Sequence, residues 1–165
     1  MNSQNLMAEL EHELVSTTKL LELVPAEKLN WQPHPKAMTL GVLANHVASI
    51  PGRYLTFAEE GNTTLEVLAE HKAPKSKSEI IQNFSASTTK AKLLLSKVDE
   101  KWLGKSWNLT KNGSVILTLP LSLFTRLLVF NHWFHHRGQL STYLRTLNVP
   151  LPVIYGLSAD ENPFA

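Results

Sequence analysis

The stretch "LSLFTRLLVFNHWFHHRGQLSTYLRTL", residues 121–147, decides the fold and sets three histidines in one of the most apolar parts of the chain. Apolar or ring-bearing residues recur in it every three or four positions, which predicts one long amphipathic helix. Its core-facing stripe is predicted to consist of Leu121, Phe124, Leu128, His132, His136, Leu140, Tyr143 and Leu147. The two histidines in this stripe are the first candidates for a functional site.

His132 and His136 lie four residues apart, so their imidazoles converge on one point of the helix surface. A single histidine on an apolar face is more often a core residue, but two neutral imidazoles need partners for their polar nitrogens. Leaving a buried polar group unpaired costs roughly 1–3 kcal/mol. One metal ion would satisfy both rings, whereas a helical interaction protein with buried histidines is the alternative.

Three protein nitrogens with one open position are a common arrangement for catalytic zinc, and imidazole also binds nickel, iron and copper. His46 follows Leu43 by three residues and precedes Ile50 by four, on the apolar side of a second predicted helix. It is therefore the predicted third ligand.

The other four histidines are expected to lie outside the ligand set. His12 falls off its helix stripe, His34 lies between prolines and His71 belongs to a lysine-rich stretch, so all three are predicted at the surface. His135 lies about 100° around the helix from His136. It is expected either beside the site or in packing.

Helices are predicted over residues 3–24, from a cap at Thr39 with a bend at Pro51, over 78–101 and over 121–147, with a short helical turn within 63–71. The pair Asn112-Gly113 predicts a small β-hairpin, as a local flap rather than a sheet. The Pro-rich tail is predicted to lie across the helices. A chain of 165 residues suits one domain, residues 1–165.

Composition excludes several function classes. The chain has no cysteine, so thiolate metal sites, disulfides and a cysteine nucleophile are excluded. Sixteen basic and fourteen acidic residues give a net charge of +2, too little to predict nucleic-acid binding. No segment resembles a signal peptide or reaches the ~20 apolar residues of a membrane span. A soluble, cytoplasmic protein without a membrane partner is expected.

The helical histidine pair also differs from the H-E-x-x-H motif of metalloproteases. Trp133 and Phe134 follow His132, so no glutamate is placed to act as general base. Metalloprotease activity is therefore not expected.

The segments "HWFHHRGQLSTYLRTLNVPLPVIYG" and "NWQPHPKAMTLGVLANHVASIPGRY" resemble the DinB-like (DinB/YfiT-like) superfamily, whose members are regarded as metal-dependent enzymes. The most specific matches are H-x-x-x-H-R-G-Q at residues 132–139 and "LANHVASIPG" around His46. The resemblance covers nearly the whole chain. It implies an all-α four-helix bundle, often dimeric, with a divalent zinc, nickel or iron ion held by His46, His132 and His136 near one end.

Most members of this superfamily have no established activity, and the better understood relatives include transferases and isomerases that use low-molecular-weight thiols. We therefore expect a metal-dependent enzyme that activates a thiol or water as nucleophile towards a small-molecule substrate. A metal-dependent hydrolase and a non-catalytic structural or sensing module are the alternatives. Of the other motif residues, Arg137 and Gln139 are expected to make structural hydrogen bonds, and Gly138 to allow close helix packing.

A second apolar row on the last helix predicts self-association. It consists of Leu127, Phe130 and Phe134, with Val129 and Trp133 beside it. A helix that is apolar on most sides must be covered on most sides. The row is predicted to face outward and to form a homodimer, with coverage by the tail or the hairpin of the same chain as the alternative.

Overall fold

The computed structural model describes residues 2–162 and 164, and it is mostly helical with a small three-stranded sheet. In chain order, its elements are α1 (Ser3–Glu22), α2 (Leu40–Glu60), β1 (Asn62–Thr64), α3 (Leu65–Leu68), α4 (Lys77–Leu95), α5 (Glu100–Leu103), β2 (Ser106–Lys111), β3 (Ser114–Pro120), α6 (Leu121–Phe124) and α7 (His132–Thr146). A short 3-10 helix, Ala26–Lys28, follows α1, and a π-helix, Thr125–Asn131, joins α6 to α7 without a break. Among the described helices, none combines the length and apolarity that crossing a bilayer requires.

Local capping chemistry fixes the helix that carries His46. The Thr39 hydroxyl accepts a hydrogen bond from the Val42 N–H at 3.3 Å, as predicted for the start of α2. The helix continues through Pro51 and ends at Gly61, whose φ of 75° is the left-handed conformation that glycine adopts without strain. These caps place His46 in the second turn of a long buried helix.

The third predicted helix, 78–101, is wrong at its end, because α4 stops at Leu95. The Asp99 side chain accepts a hydrogen bond from the Trp102 N–H at 2.6 Å and begins the separate helix α5. A short carboxylate that caps a helix competes with continuation of the preceding one.

The predicted local flap is also wrong in extent, because its strands belong to a sheet. β2 pairs antiparallel with β3 across Asn112 and Gly113, and β1 pairs parallel with β2 on the other side. The short helical turn predicted within 63–71 is confirmed as α3, but the strand at residues 62–64 before it is not predicted. A parallel partner far away in the chain leaves no mark in local periodicity.

The long helices pack pairwise: α2 contacts α4 and α7, and α1 contacts the same two helices. α2 and α4 approach closely at Gly52, where a Cβ atom would lie 2.5 Å from the carbonyl oxygen of Ser87 on α4. A Cβ atom at Gly138 would meet no atom of another described segment within 4 Å. The expectation that Gly138 allows close helix packing is therefore wrong, and Gly52 has that role.

The apolar row predicted to face outward lies largely in the core. Val129, Phe130 and Trp133 are at most 1% exposed, whereas Leu127 is 42% exposed. The π-helix explains the error, because its i→i+5 pattern holds more residues per turn than the 3.6 assumed along the whole segment. The buried face of α7 therefore follows Trp133, Arg137, Leu140 and Leu144.

The π-helix also changes where the histidines of α7 lie relative to the core. His132 and His136, predicted at core positions, are half-buried, and they lie at the edge of the core. Side chains in that position can be reached by a small ligand, which a central core position would prevent.

Candidate functional site

The structure brings His46, His132 and His136 together as a group that could hold a metal ion, here called the three-histidine site. One nitrogen from each ring lies within 4.8 Å of the other two. The Nε2 atoms of His46 and His132 are 3.3 Å apart. The His136 ring centroid is 4.5 Å from that of each partner.

These distances fit a shared cation. Two imidazole nitrogens bound to one tetrahedral zinc at about 2.0–2.1 Å lie roughly 3.3–3.4 Å apart. The observed separation of 3.3 Å between the Nε2 atoms of His46 and His132 agrees with that value. Borderline metals such as zinc accept a set of three neutral imidazoles, so the donor chemistry fits as well.

The environment keeps the rings neutral, as ligation requires. Burial lowers the pKa of His46 from 6.5 to about 2, with further lowering by positive charge on the neighbouring histidines and Arg53. Burial and the nearby His136 lower the pKa of His132 to about 4. Burial also lowers the pKa of His136, although its hydrogen bond to Gln139 acts in the opposite direction.

Gln139 orients one ligand. Its Oε1 lies 2.7 Å from Nδ1 of His136, so with Oε1 as acceptor the ring carries its proton on Nδ1 and leaves Nε2 free. The motif glutamine therefore contacts the site, which corrects the expectation of a purely structural hydrogen bond. The i, i+3 spacing of His136 and Gln139 on one helix is the sequence signal that could have shown this.

The second ring nitrogens of His46 and His132 have no side-chain partner comparable to Gln139 among the described residues. Nδ1 of His46 is buried without a hydrogen-bond partner in the part of the chain that the structure describes, whereas His132 has a hydrogen bond with the backbone of Leu128. Such orphaned atoms are uncommon in structural clusters, where buried polar groups are usually paired.

Of the remaining histidines, the structure exposes His12, His34 and His135. His71 is exposed as well, as predicted for a surface residue, yet its ring centroid lies 4.5 Å from that of His46. Its segment is attached to α2 by Asn45, whose side-chain amide donates to the Lys72 carbonyl at 2.9 Å. This contact is made between distant parts of the chain and has no sequence signature.

Tyr54 is a second neighbour that the sequence did not single out for the site. It is 3% exposed, and its ring centroid lies 4.9 Å from that of His132. Burial raises the pKa of its hydroxyl, so it stays protonated and neutral near the rings. Its ring shields one side of the site from water.

Comparison with known proteins agrees with this fold. Among solved structures, the chain is similar to a DinB-like protein of Bacillus subtilis, YjoA, with a TM-score of 0.70, 18% identity and coverage of 90% of this chain and 96% of that one. It is also similar to a DinB-like protein of Bacillus cereus, with a TM-score of 0.67, 26% identity and coverage of 88% and 92%. No curated protein sequence matches. The sequence model of the DinB family matches residues 1–162, and the chain therefore belongs to the DinB family.

Proposed function

We propose that this chain is a divalent-metal enzyme in which His46, His132 and His136 hold the metal and a low-molecular-weight thiol is the co-substrate. The observation that carries the proposal is the convergence of three imidazoles, with 3.3 Å between two of their Nε2 atoms. When bound, a divalent cation such as zinc, nickel or iron supplies Lewis acidity, which lowers the pKa of a thiol or water beside it.

The protein's own residues would prepare the site for this chemistry. Burial keeps the histidines neutral, Gln139 fixes the tautomer of His136, and Tyr54 limits access of water. The half-buried positions of His132 and His136 leave a path for a small molecule. Because the chain has no cysteine, the sulfur nucleophile of the proposed reaction would come from the outside thiol.

The arrangement of the helices supports a four-helix bundle as the frame of this site. The contacts of α1 and α2 with both α4 and α7 close a ring of four long helices. In such a frame, residues on facing helices can build a metal site. Here α2 supplies one histidine and α7 supplies two.

We also infer that the chain forms a homodimer, through a surface that differs from the predicted row. Exposed apolar side chains occur on the sheet's edge strand β3 and on the helical segment that follows it. They are Val115, Ile116, Leu117, Leu123 and Leu127, each at least 40% exposed. Leu127→Glu should convert a dimer to a monomer in light scattering, and a wild-type mass near 18.5 kDa would contradict association.

The enzymatic proposal is tested by asking whether bound metal accepts an outside ligand. Protein loaded with cobalt(II) should bind one ion and change its visible spectrum when a small thiol is added. His132→Ala is the matched control and should show neither effect. A loaded site that takes up neither thiol nor azide would indicate a structural or sensing module, and the absence of any bound metal would indicate an interaction protein.

A further inference from the structure

A small polar cavity of about 190 Å³ opens beside His46, between α2, α4 and the segment that follows α3. Sites that enclose a whole small molecule are larger, roughly 300–1,000 Å³. The cavity therefore suits one functional group of a ligand. Because His46 belongs both to its wall and to the three-histidine site, a group bound in the cavity lies next to that site.

The charges around the cavity are unbalanced. Arg53, His71 and Lys72 line it, with Glu70 as the acidic counterpart. The Glu70 carboxylate lies 3.8 Å from the Lys72 ammonium group. Among residues 2–162 and 164, no carboxylate forms an ion pair with Arg53. The guanidinium charge beside the cavity is therefore not neutralised by a carboxylate of the described residues.

Arg53 is held in place and still has donors to spare. Its guanidinium group donates to the carbonyl oxygens of Glu70, at 2.6 Å, and Val67. A guanidinium group has five N–H donors in a fixed plane, so these two bonds leave three. The side chain is thus fixed before any ligand arrives, which reduces the entropy lost on binding.

The side-chain amides of Asn45 and Asn83, which also line the cavity, likewise have N–H donors left for a ligand. Oδ1 of Asn45 accepts from the Asn83 side chain at 2.8 Å, and the Asn45 amide donates to the Lys72 carbonyl. Each amide group has a second N–H that these bonds do not use. With Oδ1 of Asn45 and the wall carbonyls of Glu70 and Lys72 already engaged, the unused N–H donors of Arg53 and the two amides suit a ligand rich in acceptor oxygens.

We propose that this cavity is a subsite for an anionic group of the substrate, a carboxylate or a phosphate, held by Arg53 and Lys72 with the Asn45 and Asn83 amides. The subsite rests on the proposed function and specifies its substrate class, an anionic small molecule whose reacting atom faces the three-histidine site. A guanidinium fork matches the paired oxygens of either anion.

The subsite is tested by NMR titration with inorganic phosphate and, separately, malonate. The side-chain amide signals of Asn45 and Asn83 should shift and saturate, whereas potassium chloride at equal ionic strength should leave them unmoved. A preference for phosphate would assign a phosphorylated substrate, and a preference for malonate would assign a carboxylate. Signals unmoved by both anions would overturn the proposal.

Charge-removing variants test which residues hold the anion. Arg53→Gln should weaken binding roughly tenfold or more, because hydrogen bonds to charged groups are lost. Lys72→Gln should also weaken it, and since the Lys72 side chain is 76% exposed, this variant keeps the fold. Lys75→Gln, an exposed lysine outside the cavity, is the matched control. An equal loss in Lys72→Gln and Lys75→Gln would overturn the subsite.

His136→Ala separates this proposal from the metal proposal, since His136 lies outside the cavity wall. The variant should lose metal and keep the amide shifts with phosphate. Wild-type protein that responds to phosphate and binds no metal would overturn the proposed metal enzyme while supporting the subsite. Wild-type protein that binds metal and does not respond to phosphate or malonate would overturn the subsite while supporting the proposed metal enzyme.

Discussion

Two polar clusters lie at neighbouring positions of α7, and they differ in how completely their groups are hydrogen-bonded. The first is the ion-pair cluster of Arg137, Glu13 and Tyr155. Arg137 Nη2 lies 2.5 Å from the Glu13 carboxylate, and the Tyr155 hydroxyl donates to the same carboxylate at 2.8 Å. The second is the three-histidine site, where the buried Nδ1 atom of His46 has no partner in residues 2–162 and 164.

Whether its polar groups are paired distinguishes a structural cluster from a functional site more clearly than burial does. Arg137 is 1% exposed, and its guanidinium group also donates to the hydroxyls of Ser16 at 2.9 Å and Thr17 at 3.1 Å. It makes structural hydrogen bonds, as expected, and joins α1, α7 and the tail. A satisfied network of this kind needs no ligand. In the three-histidine site, in contrast, the Nε2 atoms of His46 and His132 lie 3.3 Å apart, and a cation between the rings would bind both.

The comparison is tested most severely by removing single imidazoles. His46→Ala, His132→Ala and His136→Ala should each lose stoichiometric metal binding, with affinity reduced by more than the roughly 10–100-fold typical of an outer contact. Metal content after dialysis and calorimetric titration measure this. His12→Ala and His34→Ala are the controls, and His71→Ala should also retain the ion. If His46→Ala, His132→Ala or His136→Ala kept the wild-type metal stoichiometry, the histidine replaced in it would not be a ligand.

The ion-pair cluster should respond in stability and not in metal binding. Glu13→Gln leaves the buried Arg137 charge uncompensated, which costs about 3–5 kcal/mol of unfolding free energy. Glu11→Gln is a matched control on the same helix, because the exposed Glu11–Lys92 pair at 3.1 Å should contribute only about 0–1 kcal/mol. Urea unfolding compares the two. Equal losses, or loss of the metal in Glu13→Gln, would contradict the assignment.

Acid should destabilise the metal-free protein through the three-histidine site. The pKa values of His46 and His132 fall from 6.5 to about 2 and about 4, so below pH 6.5 the unfolded chain binds protons that the folded chain refuses. Their contribution is fully present above pH 6.5 and declines as the pH falls towards these lower values. The urea midpoint should therefore drop between pH 7 and pH 5.

Variants identify the source of that drop. His132→Gln should reduce it, because one of the refused protons is removed from the balance, whereas His12→Gln should leave it unchanged. A midpoint that is the same at both pH values in metal-free protein would show that the rings are not held neutral.

The sequence predicted the convergence of His46, His132 and His136 better than the helix faces around them. The i, i+4 spacing of His132 and His136, and the position of His46 on an apolar stripe, are local features that helical periodicity reports directly. Helical periodicity does not reveal the π-helix before His132. The predicted core-facing stripe therefore passes through His132 and His136, whereas the buried face of α7 passes through Trp133 and Arg137. The contact of His71 with His46 depends on pairing between distant segments, and no local pattern encodes it.

A smaller effect on metal affinity is expected at Gln139, which contacts one ligand of the three-histidine site. Gln139→Ala removes the partner of His136 Nδ1 and should give that ring the same unpaired nitrogen that His46 has. Outer contacts of this kind change metal affinity by about 10–100-fold. Gln82→Ala, at an exposed position of α4, is the control. Unchanged affinity in Gln139→Ala would show that the hydrogen bond does not orient the ligand.

The smallest effect is expected at Gly138, which lies between Arg137 of one cluster and Gln139 beside the other. It is an exposed residue inside α7, and a Cβ added there would meet nothing within 4 Å among the described residues outside its chain neighbours and the backbone of its own helix. Alanine is favoured over glycine in a helix by about 0.5–1 kcal/mol, so Gly138→Ala should stabilise the protein by that amount without changing metal affinity. Gly52→Ala should do the opposite, because its Cβ would lie 2.5 Å from the Ser87 carbonyl oxygen. Urea unfolding distinguishes the two, and a loss of stability or of metal affinity in Gly138→Ala would mean that a partner or substrate approaches the backbone at this position.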